Sequence, residues 1–501
     1  MVLPDRLKAA LGVLVSATTL IAADICDDFK EKGFDVDKPL SLDYEKEQAN
    51  YWSQACSAMR PRCILAPGSA EQVAEIVTAL HETNDLFAVK SGGHMPNNGF
   101  ASIDGGILIS TKNLDQAVYD SHTKTVIAGP GLEWQQLMEA IKDTGRTVVG
   151  GRMGEVGVGG YLLGGGLSFL SSQYGWGVNS ILNFEIVLAN GTIVNANATS
   201  NPDLYASLKG GGNNFGIVTA FTLETHPMEQ KAWGGNLIFT ADKTPEILEA
   251  VYHFTTNYPD DKAGIIMTAN KGLLVDLWIM FLFYDGIEPP LGVFDNFTAI
   301  GPILSTTKTT SYLDLVKQNN QFILRGQRYV IATETLPLPS SGTDPKAGIE
   351  VLQSLYDHFK DTAKSILEVP ALIASIALQP LPRAVTRKAA ERGGDLMSFS
   401  PDHDYIVLEY DYSYIGAAND RKVDSATQTL YSGSKNLIQR NIDNGVLPDI
   451  HRPLFMNDAY YRQDYWGRLG AEQRELAMAV RRDVDPQKFW QDRTSGGFRL
   501  G

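Results

Sequence analysis

Gly150-Gly151-Arg152-Met153-Gly154-Glu155-Val156-Gly157-Val158-Gly159-Gly160-Tyr161-Leu162-Leu163-Gly164-Gly165-Gly166 carries nine glycines in seventeen residues. Glycine loses more backbone freedom on folding than any other residue, so a run this dense needs a physical reason. The interleaved Val156, Val158, Tyr161, Leu162 and Leu163 rule out a flexible linker. Close backbone approach to a ligand, or tight turns between packed strands, remains. Consecutive N–H groups without side chains can wrap a pyrophosphate. No Gly-Lys-Ser/Thr follows, which excludes a Walker loop, and Leu162 stands where a G-x-G-x-x-G fingerprint starting at Gly157 requires glycine. A large phosphate-bearing cofactor stays open.

Two further clusters lie on either side of this stretch. Downstream, Lys209-Gly210-Gly211-Gly212-Asn213-Asn214-Phe215-Gly216 runs into a strand-like segment, 217–223. Upstream, the apolar run 86–89 leads straight into Ser91-Gly92-Gly93-His94. A histidine taken alone is more often a surface or satisfied core residue than a functional one. His94 differs because a strand end and two glycines let a ring system come close to a nucleophilic neutral imidazole. Three such places in one chain point to an extended cofactor.

Around these clusters the pattern alternates between helix and strand. Ser69 with Gln72 predicts a capping box ahead of a helix on which Val73, Ile76, Val77 and Leu80 recur at helical spacing. Short apolar runs at 64–66 and 86–89 bracket it, giving a strand-helix-strand unit. Strands at 107–109 and 126–128 and a helix over 134–141 follow. Segments 183–188 and 192–194 flank Asn190-Gly191, a pair suited to the positive backbone angles of a tight hairpin. From about residue 233 apolar alternations such as 273–283 mix with helical stretches near 245–258 and 347–359. The expected result is a second, mostly antiparallel sheet with helices on one face. The last fifty residues, with helix and loop signals over 460–482, do not form a separate domain.

Composition narrows the class. At 501 residues with 44% hydrophobic and 20% charged, the chain can bury substantial cores and is expected to form two domains. Its formal charge of −15 opposes nucleic-acid binding, and no basic run offsets it locally. Lys8 followed by the apolar stretch 9–23 predicts a signal peptide, with an amphipathic helix as the alternative. Cys26, Cys56 and Cys63 lack paired CxxC spacing, so no metal site is expected. One disulfide with a spare thiol, or three reduced thiols, are both open from spacing alone. Sequons begin at Asn190, Asn197 and Asn296 and agree with secretion.

Taken together, Lys90 to His94, Gly151-Arg152 through Tyr161 to Gly166, Lys209 to Thr219, and Phe455-Met456-Asn457-Asp458-Ala459 resemble the berberine-bridge-enzyme-like family, the fungal FAD-linked oxidases above all. The resemblance implies an α+β fold: a two-subdomain FAD-binding domain of the vanillyl-alcohol-oxidase or PCMH type from 24–228, completed by 446–501. A substrate domain from 229–445 would carry an antiparallel sheet covered by helices. It further implies an 8α-histidyl bond from His94 to FAD, with Ser91, Gly92 and Gly93 at the pyrophosphate. Gly157, Gly159, Gly160, Tyr161 and Gly164 would continue the cradle, with Gly216, Ile217 and Val218 near the adenine and flavin and Asn457 at the cofactor.

Met153 stands where many relatives have a second, cysteinyl attachment, so a single covalent link is expected. Cys26 and Cys63 match a pair that is disulfide-bonded in secreted relatives, which leaves Cys56 spare. Val156 falls at the small gate residue beside the flavin and resembles the valines of oxygen-reactive members. Relatives commonly carry a tyrosine base after the asparagine of the C-terminal motif, and this chain has Asp458 there. Tyr410 and Tyr412, with Tyr414, are spaced by two on a strand beginning near Ile406 and are the other candidates for the base.

The implied reaction removes a proton and a hydride from an alcohol, sugar or secondary metabolite and passes electrons to O2, giving hydrogen peroxide. The expected partners are therefore a small-molecule substrate and O2, with no nucleic acid, membrane span or metal, in a monomer. A dehydrogenase using another acceptor and a non-catalytic FAD-binding secreted protein are the competing readings.

Overall fold

This computed structural model describes residues 24–228, 231–339 and 344–501. The expected signal segment 1–23 lies outside them, as do residues 229 and 230 at the expected domain junction.

The first unit is built as the periodicity dictates. Helix α1 (Ala70–Glu82) buries Val73, Ile76, Val77 and Leu80 on one stripe, and the Ser69 hydroxyl accepts from the Gln72 N–H at 3.3 Å. The reciprocal half of the capping box is displaced: Gln72 Oε1 accepts from Gly68 N at 2.8 Å rather than from Ser69. The stripe packs on a four-stranded sheet of β1 (Val36–Asp37), β2 (Cys63–Leu65), β3 (Phe87–Lys90) and β4 (Ile107–Ser110), in the order β1-β2-β4-β3. Strands β2, β4 and β3 run parallel. A disulfide joins Cys26 to Cys63, and Cys56 is a buried free thiol.

Next to it stands an antiparallel five-stranded sheet in the order β5-β6-β9-β7-β8, formed by β5 (Ala117–Asp120), β6 (Thr125–Ala128), β7 (Ile181–Val187), β8 (Ile193–Asn197) and β9 (Ile217–Glu224). Strands β7 and β8 form the hairpin expected around Asn190-Gly191. Its turn differs from the expected form, because Gly191 alone takes positive φ (77°) while Asn190 does not. The Gly191 N–H donates to the Leu188 carbonyl at 2.9 Å, closing a longer loop in which one left-handed residue suffices.

The second unit is an antiparallel sheet whose long strands follow the order β10-β12-β11-β14-β15-β13. They are β10 (Ala232–Thr240), β11 (Ala263–Gly272), β12 (Asp276–Tyr284), β13 (Arg328–Pro337), β14 (Ile373–Leu381) and β15 (Tyr405–Tyr414). Two short strands, Leu304–Ser305 and Lys308–Thr310, pair with β10 at the edge. The apolar stretch 273–283 is not one strand: Leu273 and Leu274 sit exposed between β11 and β12.

Both faces of this sheet are buried. One packs on helices α4 (Thr244–Thr256), α5 (Pro345–Lys364) and α6 (Asp420–Asp443), through Ile406, Leu408 and Tyr410 on β15 among others. The other joins the core of the five-stranded sheet through Phe281, Phe283, Ala377 and Val407. Phe489 and Trp490 return the chain's end to the four-stranded sheet, and Phe498 and Leu500 reach the shared core.

Candidate active site

A cavity of about 350 Å³ lies where the three sheets meet. Its floor is the glycine-rich stretch, held by helix α2 (Trp134–Ile141): Trp134 N donates to Val156 O at 3.0 Å and Gln135 N to Gly154 O at 2.9 Å. The stretch then turns into the short helix α3 (Val158–Leu163). Gly157 and Gly92 face each other with no room for a side chain, since a Cβ on Gly157 would stand 2.4 Å from Gly92 N. Two loops distant in sequence thus touch backbone to backbone.

The structure brings most of the expected site residues to this one cavity. Ser91, Gly92, Gly93 and His94 line it beside Val156, Gly157, Gly159, Gly160, Tyr161 and Gly164. Gly216, Ile217 and Val218 form a further wall, and Asn457 and Asp458 another, with Met153 also at the surface. Asn457 straddles α3: its Nδ2 donates to the carbonyl of Tyr161 at 3.2 Å and its Oδ1 accepts from Gly166 N at 3.1 Å.

The lining fits a large polar group. His94 Nε2, Thr111 Oγ1, Tyr161 OH and Trp490 Nε1 are all buried on residues of this wall without a hydrogen-bond partner. Buried polar atoms are rarely left so, and four around one cavity indicate a ligand that satisfies them. A Cβ on Gly160 would meet only open space. The residues present therefore suit the FAD that the resemblance implies.

His94 follows β3 and stacks on Trp52 with ring centroids 4.5 Å apart; Trp52 in turn stacks on Tyr329 at 4.1 Å. Burial, helped by the charge of Arg325, pushes the imidazole pKa down to about 4. The ring is neutral at physiological pH and keeps a lone pair for bonding.

Across the cavity stands a carboxyl cluster that sequence reasoning found only in part. Asp458 is 8% exposed, and its Oδ2 accepts from Gln379 Nε2 at 2.8 Å. The other end of that amide, Oε1, accepts from the Arg152 guanidinium. Burial raises the Asp458 pKa to about 6, opposed by the Gln379 bond and the Arg152 charge. Glu409 on β15 also lines the cavity. Burial, then Asp458 and Asp411, hold its carboxyl well above the usual range, with Arg152 opposing. Asp411 is raised for the same reasons, burial first and then Asp458.

Tyr410 and Tyr412 are not part of this site. Residues of opposite parity on a strand face opposite sides, and β15 turns its odd positions, Glu409 among them, to the cavity. Its even positions meet the helices: Tyr410 OH donates to Ser434 Oγ on α6 at 2.8 Å, and Tyr412 packs in the core between sheet and helices. Tyr414 donates to Asp420 at 2.8 Å on that same side. The expected alternation is present, and its phase removes the tyrosines as bases. Glu409 and Asp411, acidic residues spaced by two in an apolar strand, were the signal to follow. Gln379 and Arg152 had none.

Among the described residues, no helix is long and apolar enough to cross a membrane, and no group of three or more His, Cys, Asp or Glu is placed to hold a metal ion.

Comparison with known proteins agrees with this geometry. Residues 61–197 match the FAD binding domain family. An uncharacterized FAD-linked oxidoreductase of Arthroderma benhamiae is 48% identical over 98% of each chain. A FAD-dependent monooxygenase of Penicillium roqueforti is 40% identical, covering 92% of this chain and 90% of that one. In structure, the BBE-like 1 protein of Physcomitrella patens superposes with a TM-score of 0.75 at 17% identity, over 95% of this chain and 99% of its own. The chain belongs to the FAD-linked oxidoreductases, enzymes built on the fold of berberine bridge enzyme.

Proposed function

We propose that the protein is an oxidase that holds FAD covalently on His94 and takes a proton from a hydroxyl or amine of a small-molecule substrate through Asp458. One observation carries the reading: a single cavity has the unpartnered, neutral His94 ring on one wall and a buried carboxyl cluster on another. Bound there, FAD supplies the two-electron acceptor that no side chain provides.

The protein's residues do the rest. Backbone N–H groups of Ser91, Gly92 and Gly93, with Gly157, Gly159, Gly160 and Gly164 opposite, hold the pyrophosphate. Gly216, Ile217 and Val218 would stand near the adenine and flavin, with Tyr161 and Asn457 also at the cofactor. Asp458 and Glu409 divide two roles, because paired carboxyls whose pKa values are driven apart act as base and acid. Asp458 is the group that ionises near neutrality and accepts the substrate proton. Glu409, held well above the usual carboxylate range by burial and then by Asp458 and Asp411, is the partner suited to act as acid. Gln379 occupies one Asp458 oxygen and leaves the other for substrate. Val156, at the gate position, leaves oxygen access, so that substrate and O2 yield product and hydrogen peroxide. Secretion is part of this reading, supported by the Cys26–Cys63 disulfide and the exposed Asn190 and Asn296.

The test is acid precipitation of the purified protein followed by mass measurement of the peptide containing His94. Yellow colour in the pellet and a peptide heavier by one FAD are expected; colour in the supernatant overturns the covalent assignment. The 40% identical relative bears the name monooxygenase, which favours a second reading in which an oxygen atom enters the product. Oxygen-18 in the product, in place of released peroxide, would select it.

A further inference from the structure

Near the chain's end Arg499 is a half-buried cation whose Nε and Nη2 are buried without an anion among the described residues. Residues 496–500 lie along the glycine loop 210–214: Asn213 Nδ2 donates to Gly496 O at 3.4 Å, Asn214 Nδ2 to Phe498 O at 2.9 Å, and Leu500 N to Asn214 Oδ1 at 3.1 Å. Trp466 Nε1 also donates to Phe498 O, at 2.8 Å. This pins the tail so that Gly497 and Phe498 become part of the cavity wall, next to Asn213.

Arg499 follows immediately. Among the described residues its one hydrogen bond is from Nη1 to the Asn213 carbonyl at 3.4 Å, and Nε and Nη2 are buried there with no partner. A Cβ on Gly497, which has φ +120°, would stand 2.7 Å from Arg499 Nη2. The guanidinium thus packs against Gly497, a residue of the cavity wall. Burial draws its pKa down to about 10, so it is still charged at neutral pH, and no carboxylate among the described residues pairs with it. Removing a charge from water without a counter-charge is strongly unfavourable. The two buried donors beside Gly497 thus call for an anionic partner.

FAD offers one kind of anionic group in its oxidised state, the diphosphate. We propose that Arg499 is a binding residue for the diphosphate of the cofactor, and that the C-terminal tail is the last wall of the cofactor site. This rests on the reading that FAD occupies the cavity. A guanidinium matches phosphate oxygens with several donors at fixed angles and keeps its charge where a lysine would lose more of it on burial.

The experiment uses full-length protein in a His94→Ala background, where FAD binding is reversible, and measures the FAD dissociation constant by quenching of tryptophan fluorescence at two salt concentrations. Arg499→Met is expected to weaken binding about tenfold and to flatten its salt dependence, as loss of one charge-assisted phosphate contact should. Arg499→Lys, which lacks the forked donors and holds its charge less firmly, is expected to recover only part of the affinity. An unchanged constant in Arg499→Met overturns the proposal, and so does a loss in Arg499→Met that leaves the salt dependence unchanged, which would mean that packing rather than charge matters. If the His94→Ala parent and the wild-type protein both fail to bind FAD, the cofactor reading itself falls, and the Arg499 proposal with it.

Discussion

The glycine-rich half of the molecule and the large-sheet half supply opposite walls of one cavity, and they encode their contributions differently. In the first, identity is enough: Gly92 and Gly157 must lack side chains because their backbones touch, and His94 is placed by the loop that carries it. In the second, chemistry depends on phase. Glu409, Tyr410, Asp411 and Tyr412 alternate on β15, and only the register of the folded sheet decides which face, with Glu409 on it, turns to the cavity. A motif can be read where it stands, whereas a strand needs its neighbours.

The largest test of this difference is Gly157→Ala. The φ of −71° suits alanine, so any effect comes from the added methyl meeting Gly92 at 2.4 Å. Overpacking of this kind costs about 3 kcal/mol or more where backbone cannot yield, and the variant is expected to purify without flavin, as absorbance would reveal. A variant that stays yellow and equally stable would show that the two loops can part.

Exchanging the two faces of β15 comes next. Asp458→Asn should lower kcat by about 10²–10⁴, the usual worth of a general base, whereas Tyr412→Phe should leave it within about twofold. Loss of turnover in Tyr412→Phe would reverse the phase assignment. The Asp458 carboxyl carries a second consequence. Its folded-state pKa is raised to about 6, so its contribution to stability is most favourable at low pH and is lost as pH rises through that value. Asp458→Asn should therefore gain about 2 kcal/mol against unfolding at pH 8 and close to nothing at pH 4, measured by denaturant titration.

Arg152→Met probes the link between the halves, since Arg152 leaves the glycine stretch to reach Gln379 on β14. Its charge lowers the Asp458 pKa, so its removal should move the acid limb of the kcat/KM profile upward by roughly one pH unit. An unmoved limb would detach Asp458 from the base role. The smallest effect belongs to the hairpin: Gly191→Ala, at φ 77°, should cost about 1 kcal/mol in thermal unfolding with activity unchanged.

These contrasts explain what could be read from sequence. The cofactor walls were legible because glycine density, a histidine after a strand and the Asn457-Asp458 pair carry meaning without context. The helix stripe of α1 was legible from period alone. The substrate wall was not, because both faces of the large sheet are buried, and polarity then fails to mark the side that faces the cavity. Gln379 and Arg152 became visible only when a strand and the glycine-rich loop, 227 positions apart, were brought side by side.

The cavity wall also takes residues from both ends of the chain, from Trp52 to Phe498. Synthesis proceeds from the N-terminus, and domains fold as their residues emerge. Here the four-stranded sheet and its histidine loop are complete long before Trp490 and Phe498 leave the ribosome. The cavity wall therefore stays open until the segment 490–498 has been made and has met the sheets formed before it.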